Sequence, residues 1–185
     1  TDKPGREIVV GRELAKKAVS AIDKSVPAGE GISHLDRTIQ VRLRKPTAED
    51  LLRAKDHFDS LGDSLPQSTP AKPGYTDTFF ALQAFQIAAD KRVKRDIYLQ
   101  LIKIGQVCIV GNPCQMFVEF GRKVKQACGE HVFFSDFAND YCGYVPIPEC
   151  MVPGVYEARL APTSGLESAA GDIICDTLIQ MYHEM

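Results

Sequence analysis

No window in this 185-residue chain approaches the roughly 18 consecutive apolar residues that a membrane-spanning helix needs, so an integral membrane protein is not expected. Charge of one sign is also lacking. Lys plus Arg is 22 against 24 Asp plus Glu, a net charge of -2. The general basic footprint of a nucleic-acid binder is therefore absent, and no nucleic-acid partner is expected. Six cysteines are too few for a disulfide scaffold, and their pairing cannot be read from their spacing. The four histidines (His34, His57, His131, His183) include no pair at ligand spacing, and no Cys-x-x-Cys occurs. P-loop, dinucleotide fingerprint and nucleophile elbow are missing too. Thr1 is no initiator methionine and no signal-peptide pattern follows it, which suggests a processed chain or a piece of a longer one.

What is present is ordinary globular composition, 44% apolar and 25% charged, at a length suited to one domain with a real core. Residues 5–24 predict an amphipathic helix, with Ile8, Gly11, Ala15, Ala18 and Ile22 on one face. Arg37 to Leu43 alternates as a half-buried strand. Thr47 with Asp50 three residues on predicts a capped helix whose stripe is Leu51, Leu52, Ala54 and Phe58. The proline-rich stretch 62–74 reads as a surface loop, and Tyr75 to Ala89 as an aromatic-rich helix. Two strands joined at Gly105-Gln106 form a hairpin; a helix over 115–126, a strand over 131–137 and a closing helix over 166–181 complete the pattern. Residues 139–162 look irregular. Helices interspersed with strands predict an α/β (α+β) fold, a layered mixed sheet flanked by helices, in one domain segment spanning 1–185.

Two stretches carry candidate chemistry. Gly111-Asn112-Pro113-Cys114-Gln115 joins a buried strand to a predicted helix, a junction that offers free N–H groups and the positive helix end to an anion or a polarised oxygen. The same pattern also serves as a plain tight turn. Asn139-Asp140-Tyr141-Cys142-Gly143-Tyr144, followed by Tyr156-Glu157, places several phenols in loops, where they can donate to an oxyanion, ligate a metal or simply anchor the loop. His57 is expected on a solvated helix face. A terminal threonine can act as a nucleophile with its own amine as base, but Asp2-Lys3-Pro4-Gly5 reads as a turn-prone lead-in rather than a buried strand.

The run Ile109-Val110-Gly111-Asn112-Pro113-Cys114-Gln115-Met116-Phe117-Val118-Glu119-Phe120-Gly121, the loop Asn139 to Tyr144 and the pair Tyr156-Glu157 resemble the C-terminal part of the neutral/alkaline ceramidase-like family. That family shows there a Pro-Gly-Glu turn, a Phe-x-Glu-x-Gly helix, an Asn-x-Tyr-x-x-Tyr loop and a Tyr-Glu pair. The resemblance covers essentially the whole chain but only the later half or so of the family's catalytic domain. It implies a zinc-dependent hydrolase of N-acyl amide bonds acting in sphingolipid metabolism, with a lipid-like substrate and a secreted or periplasmic location. It further implies zinc ligands at Gln115 and Tyr144, an oxyanion-stabilising catalytic Tyr156, and two zinc histidines supplied by the N-terminal half of the same protein. Without that half the segment is expected to be inactive. Here the turn reads Pro113-Cys114-Gln115, so a neutral amide stands where the family has a carboxylate. The alternative is a ceramidase-like binding module with a degraded metal site.

Overall fold

The segment with the strongest alternation of large aliphatics becomes the centre of the sheet. In the computed structural model, which describes residues 5–62, 75–129 and 131–185, Ile97, Leu99 and Leu101 are wholly buried along strand β2 (Lys94–Ile104). They point inward at every second residue, as a pleated strand with one covered face requires. Strand β1 (Ile32–Arg42) lies antiparallel to β2, in register from Ile32 opposite Ile104 to Arg42 opposite Lys94. Strand β3 (Val107–Gly111) returns through the tight Gly105-Gln106 turn. Strand β5 (Val132–Ser135) then adds parallel to β3, giving the order β1-β2-β3-β5. A parallel neighbour needs a crossover, and helix α4 (Val118–Cys128) supplies it.

The covered face is closed by α4 and by α5 (Ala170–Glu184). Phe120 and Val124 of the first and Ile174, Leu178 and Met181 of the second meet Ile97, Leu99, Leu101, Val110 and Val132 of the sheet. The α4–α5 approach is close. A β-carbon at Gly171 would lie 2.6 Å from an edge carbon of the Phe120 ring, so only glycine fits beneath it. On the opposite face β1 shows Asp36, Thr38 and Gln40 to solvent. Helices α2 (Ala48–Leu61) and α3 (Tyr75–Ala89) form a smaller cluster of their own around Ala54, Ala81 and Ala84, with Leu51 and Phe58 against it.

The architecture is the expected mixed α/β arrangement, a mixed sheet flanked by helices. The Thr47 cap forms as its spacing predicts: its hydroxyl accepts from the Asp50 amide at 3.1 Å, and Asp50 accepts from the Thr47 amide at 2.9 Å. Several expectations need correcting, among them the irregular reading of 139–162, which holds a short strand over Gly143–Val145. Helix α1 (Arg6–Ile22) forms, yet no residue in it is buried; Ile8 and Ile22 are 53% and 66% exposed. Its stripe satisfies helical spacing without meeting the core. The closing helix starts at Ala170 because Leu166 is taken up earlier, in a bridge to Leu43. Most consequentially, residues 114–116 are not helical. Cys114–Met116 is a short strand, β4, and α4 begins only after the extended Phe117. The expected loop over 62–74 falls, from residue 63 onward, outside the described residues, as does Thr1. Among the described residues no helix is long and apolar enough to cross a membrane.

Candidate functional site

Strand β4 owes its place to two flanking segments far away in sequence. On one side it pairs in parallel with β6 (Gly143–Val145), Cys114 opposite Gly143, Gln115 opposite Tyr144 and Met116 opposite Val145. The pairing continues beyond the strands, with the Cys142 amide donating to the Pro113 carbonyl at 2.8 Å and the Phe117 amide to the Val145 carbonyl at 3.2 Å. On the other side the Phe137 amide donates to the Cys114 carbonyl at 3.2 Å and the Ala138 amide to the Asn112 carbonyl at 2.9 Å.

Asn112 organises this junction. It is fully buried, and its side chain closes a local turn by accepting from the Cys114 amide at 2.9 Å. Its amide group donates to the Ser135 carbonyl and to Asp136 Oδ1 at 3.2 and 2.9 Å. Asp136 Oδ2 accepts from the Met116 amide at 3.0 Å. Burial pushes the Asp136 carboxyl above the usual carboxylate range, against those two hydrogen bonds, which pull it down. Asn112 lies in a stretch the sequence marks for candidate chemistry, but neither its organising role nor Asp136 stands out there. A polar pair at the ends of two apolar strands was the available signal.

The register brings Gln115 and Tyr144 together. Opposed residues of a parallel pair project to the same face of the ribbon, and both side chains are half-buried. Gly143, just before Tyr144, has φ +83°, and its backbone packs on the Thr163 carbonyl, which accepts from the Tyr144 amide at 2.8 Å. Only glycine combines that torsion with that approach. Tyr156 opens a short 3-10 turn (Tyr156–Ala158) and meets Tyr144 edge to face, ring centroids 6.0 Å apart at 78°. It also packs edge to face with Phe80 of α3, ring centroids 6.0 Å apart, and the Arg159 guanidinium lies over the Phe80 ring at 3.8 Å. The three residues singled out by sequence, Gln115, Tyr144 and Tyr156, thus form one contiguous group.

The Tyr156 turn is pinned from beneath. Arg44 donates to the Ala158 carbonyl at 2.9 Å, to Ser164 Oγ at 3.1 Å and to the Ser164 carbonyl, while the Ser164 hydroxyl donates to the Glu157 carbonyl. Arg44 is a second residue that sequence pattern did not reveal, since it acts through backbone groups more than a hundred positions away. Tyr156 itself is 57% exposed at the rim of a cavity of about 730 Å³ between α2, α3 and residues 153–160. Arg53, His57, Phe80 and Arg159 line it as well. His57 is not the solvated residue its helical position suggests: its Nε2 is 2.8 Å from Thr78 Oγ1, linking α2 to α3.

Burial raises the Tyr144 phenol above its ordinary pKa, and the neighbouring Tyr156, Tyr141 and Glu157 add to the shift. By itself the pair Gln115–Tyr144 therefore offers two neutral oxygen donors. Two oxygen donors alone do not close a tetrahedral metal shell. Among the described residues no group of three His, Cys, Asp or Glu side chains could hold a metal ion.

No family model matches the chain, and no curated protein matches its sequence. Solved structures do resemble it. A ceramidase complexed with C2 aligns over 82% of this chain and 30% of its own, at 18% identity and a TM-score of 0.47. The neutral ceramidase from Pseudomonas aeruginosa aligns over 82% and 28%, at 16% identity and a TM-score of 0.46. The chain thus spans less than a third of the length of the ceramidase structures to which it is similar.

Proposed function

We propose that this chain is the C-terminal segment of a ceramidase-like, zinc-dependent hydrolase of N-acyl amide bonds, joined in the working protein to an N-terminal half that carries two zinc histidines. The observation that supports this reading is the pairing of Gln115 with Tyr144 across β4 and β6, with Tyr156 packed on Tyr144. The family resemblance assigns a metal shell to the first two positions and an oxyanion donor to the third.

In this reading each residue has a distinct task. Gln115, on a strand held by backbone bonds on both edges, would hold the cation through its side-chain carbonyl oxygen. Tyr144, paired with it in register, would supply a phenol oxygen. Tyr156, half in solvent, donates its hydroxyl to the oxygen of the scissile carbonyl as negative charge develops there. The rim of the cavity seats the acyl amide, with Phe80 as its apolar wall. Zinc, when bound, polarises the carbonyl and acidifies its water.

The test uses the complete protein with a fluorogenic N-acyl substrate and metal analysis. Turnover is expected, and Tyr156→Phe should lower kcat by about 100-fold for the loss of one oxyanion donor. Gln115→Glu should tighten zinc, because a carboxylate restores charge to the shell. A protein that neither hydrolyses N-acyl amides nor binds zinc, with or without Gln115→Glu, refutes the proposal. The neutrality of the Gln115–Tyr144 pair favours a second reading, a ceramidase-like module that binds a lipid or sugar in the cavity without metal chemistry. Ligand binding without turnover, unchanged by chelator, selects it.

A further inference from the structure

Two thiols sit at the foot of the β4–β6 ribbon. Cys114 and Cys142 are 0% and 1% exposed, and their side chains lie against each other in the core. Cys114 is opposite Gly143, so Cys142 is its diagonal neighbour. A strand separation of about 4.8 Å and a rise of about 3.3 Å put their Cα atoms about 6 Å apart. A disulfide spans Cα separations of roughly 4.4–6.8 Å. Strict alternation would send the two side chains to opposite faces. Gly143, between Cys142 and Tyr144, has φ +83°, outside the pleated conformation on which strict alternation depends, and the two thiols interact directly. The Cys142 amide bond to the Pro113 carbonyl, 2.8 Å, holds the approach from the backbone. The other thiols are placed differently: Cys175 is bonded to the Phe120 carbonyl at 3.7 Å, Cys108 lies on β3, Cys128 ends α4, and Cys150 is half-exposed in a separate turn.

We propose that Cys114 and Cys142 are a cross-linking site: a dithiol that closes to a disulfide and clamps β4 to β6, one residue from Gln115 and two from Tyr144. The oxidant is a low-molecular-weight disulfide such as oxidised glutathione. One cysteine sulfur attacks it, forming a mixed disulfide and releasing one reduced glutathione. The second cysteine sulfur displaces the other glutathione and closes the intramolecular bond. The cysteine pair gives up two electrons and two protons, which end on the two glutathione thiols. The bond tethers the ribbon whatever chemistry the ribbon serves, so it stands apart from the hydrolase reading.

The experiment reduces and denatures the complete protein, refolds it in a glutathione redox buffer, alkylates free thiols and maps the cysteines by fragmentation mass spectrometry. A Cys114–Cys142 link is expected, lost in Cys114→Ala and in Cys142→Ala with alkylation of the remaining partner, and kept in Cys108→Ala. Alkylation of both Cys114 and Cys142 in the refolded wild type overturns the proposal. A link from either residue to another cysteine overturns it equally. Should the alanine variants fail to refold, the wild-type map decides alone.

Discussion

Replacing Gly143 by alanine adds one methyl group at the point where the ribbon carrying Tyr144 crosses the 161–165 turn. The residue has φ +83°, a torsion that costs an L side chain about 1–2 kcal/mol. The new carbon would also lie 2.8 Å from the Thr163 Cα and closer still to its carbonyl. Thr163 has little room to retreat: its carbonyl accepts from the Tyr144 amide, and the next residue is held by Arg44. Overpacking of this kind adds roughly 1–3 kcal/mol. The alanine restricts the unfolded chain and returns about 0.4–1 kcal/mol. The expected net loss is about 2–4 kcal/mol. Gly154→Ala separates the two causes, because that residue has a similar torsion, φ +96°, with nothing within 4 Å of the added carbon. It should cost about 1 kcal/mol, the torsion less the entropic return. Urea unfolding midpoints give both numbers, and hydrogen exchange at the Tyr144 amide should accelerate in Gly143→Ala alone. Equal losses in the two variants, within about 0.5 kcal/mol, would refute the claim that the Thr163 contact sets the ribbon's geometry.

Leu178→Ala, at a fully buried position of α5, should cost about 2–5 kcal/mol by cavity formation, seen as a lowered denaturation midpoint. Removing the Thr47 hydroxyl in Thr47→Ala breaks the capping box and should cost about 1 kcal/mol, with the loss confined to α2 in hydrogen exchange. Asp136 titrates in the folded state above its ordinary carboxylate value, so the folded protein binds that proton more tightly than the unfolded one. Its ionisation therefore opposes folding at neutral pH, and the penalty fades as pH falls from the raised folded value to the unfolded one. The stability of wild type relative to Asp136→Asn should rise across that acid window; a difference that stays flat or falls would show that desolvation does not dominate there.

Local signals were legible wherever the chain interacts with itself at short range. The Thr47–Asp50 spacing specifies its capping box, and the β2–β3 hairpin follows from two apolar runs joined by Gly105-Gln106. The alternation of β1 and β2 predicts a half-covered sheet because side-chain direction in a strand depends only on parity. The Gln115, Tyr144 and Tyr156 group was reachable through order and spacing of motifs, not through any local rule. Its contact geometry was not reachable at all. Three residues are too few to show a period, so β4 looked like the first turn of α4, and its strand state depends on partners at 135–138 and 143–145.

The amino-acid sequence by itself determined the longer helices and the strands β1 to β3, since capping, alternation and turn chemistry operate over a few residues, but not the short strands β4 and β6. Only the tertiary structure decided that α1 leaves its stripe uncovered, that Arg44 props the Tyr156 turn, and that Gln115 faces Tyr144. Those outcomes depend on backbone hydrogen bonds and packing between residues distant in the chain, where no short-range pattern records which partner will arrive.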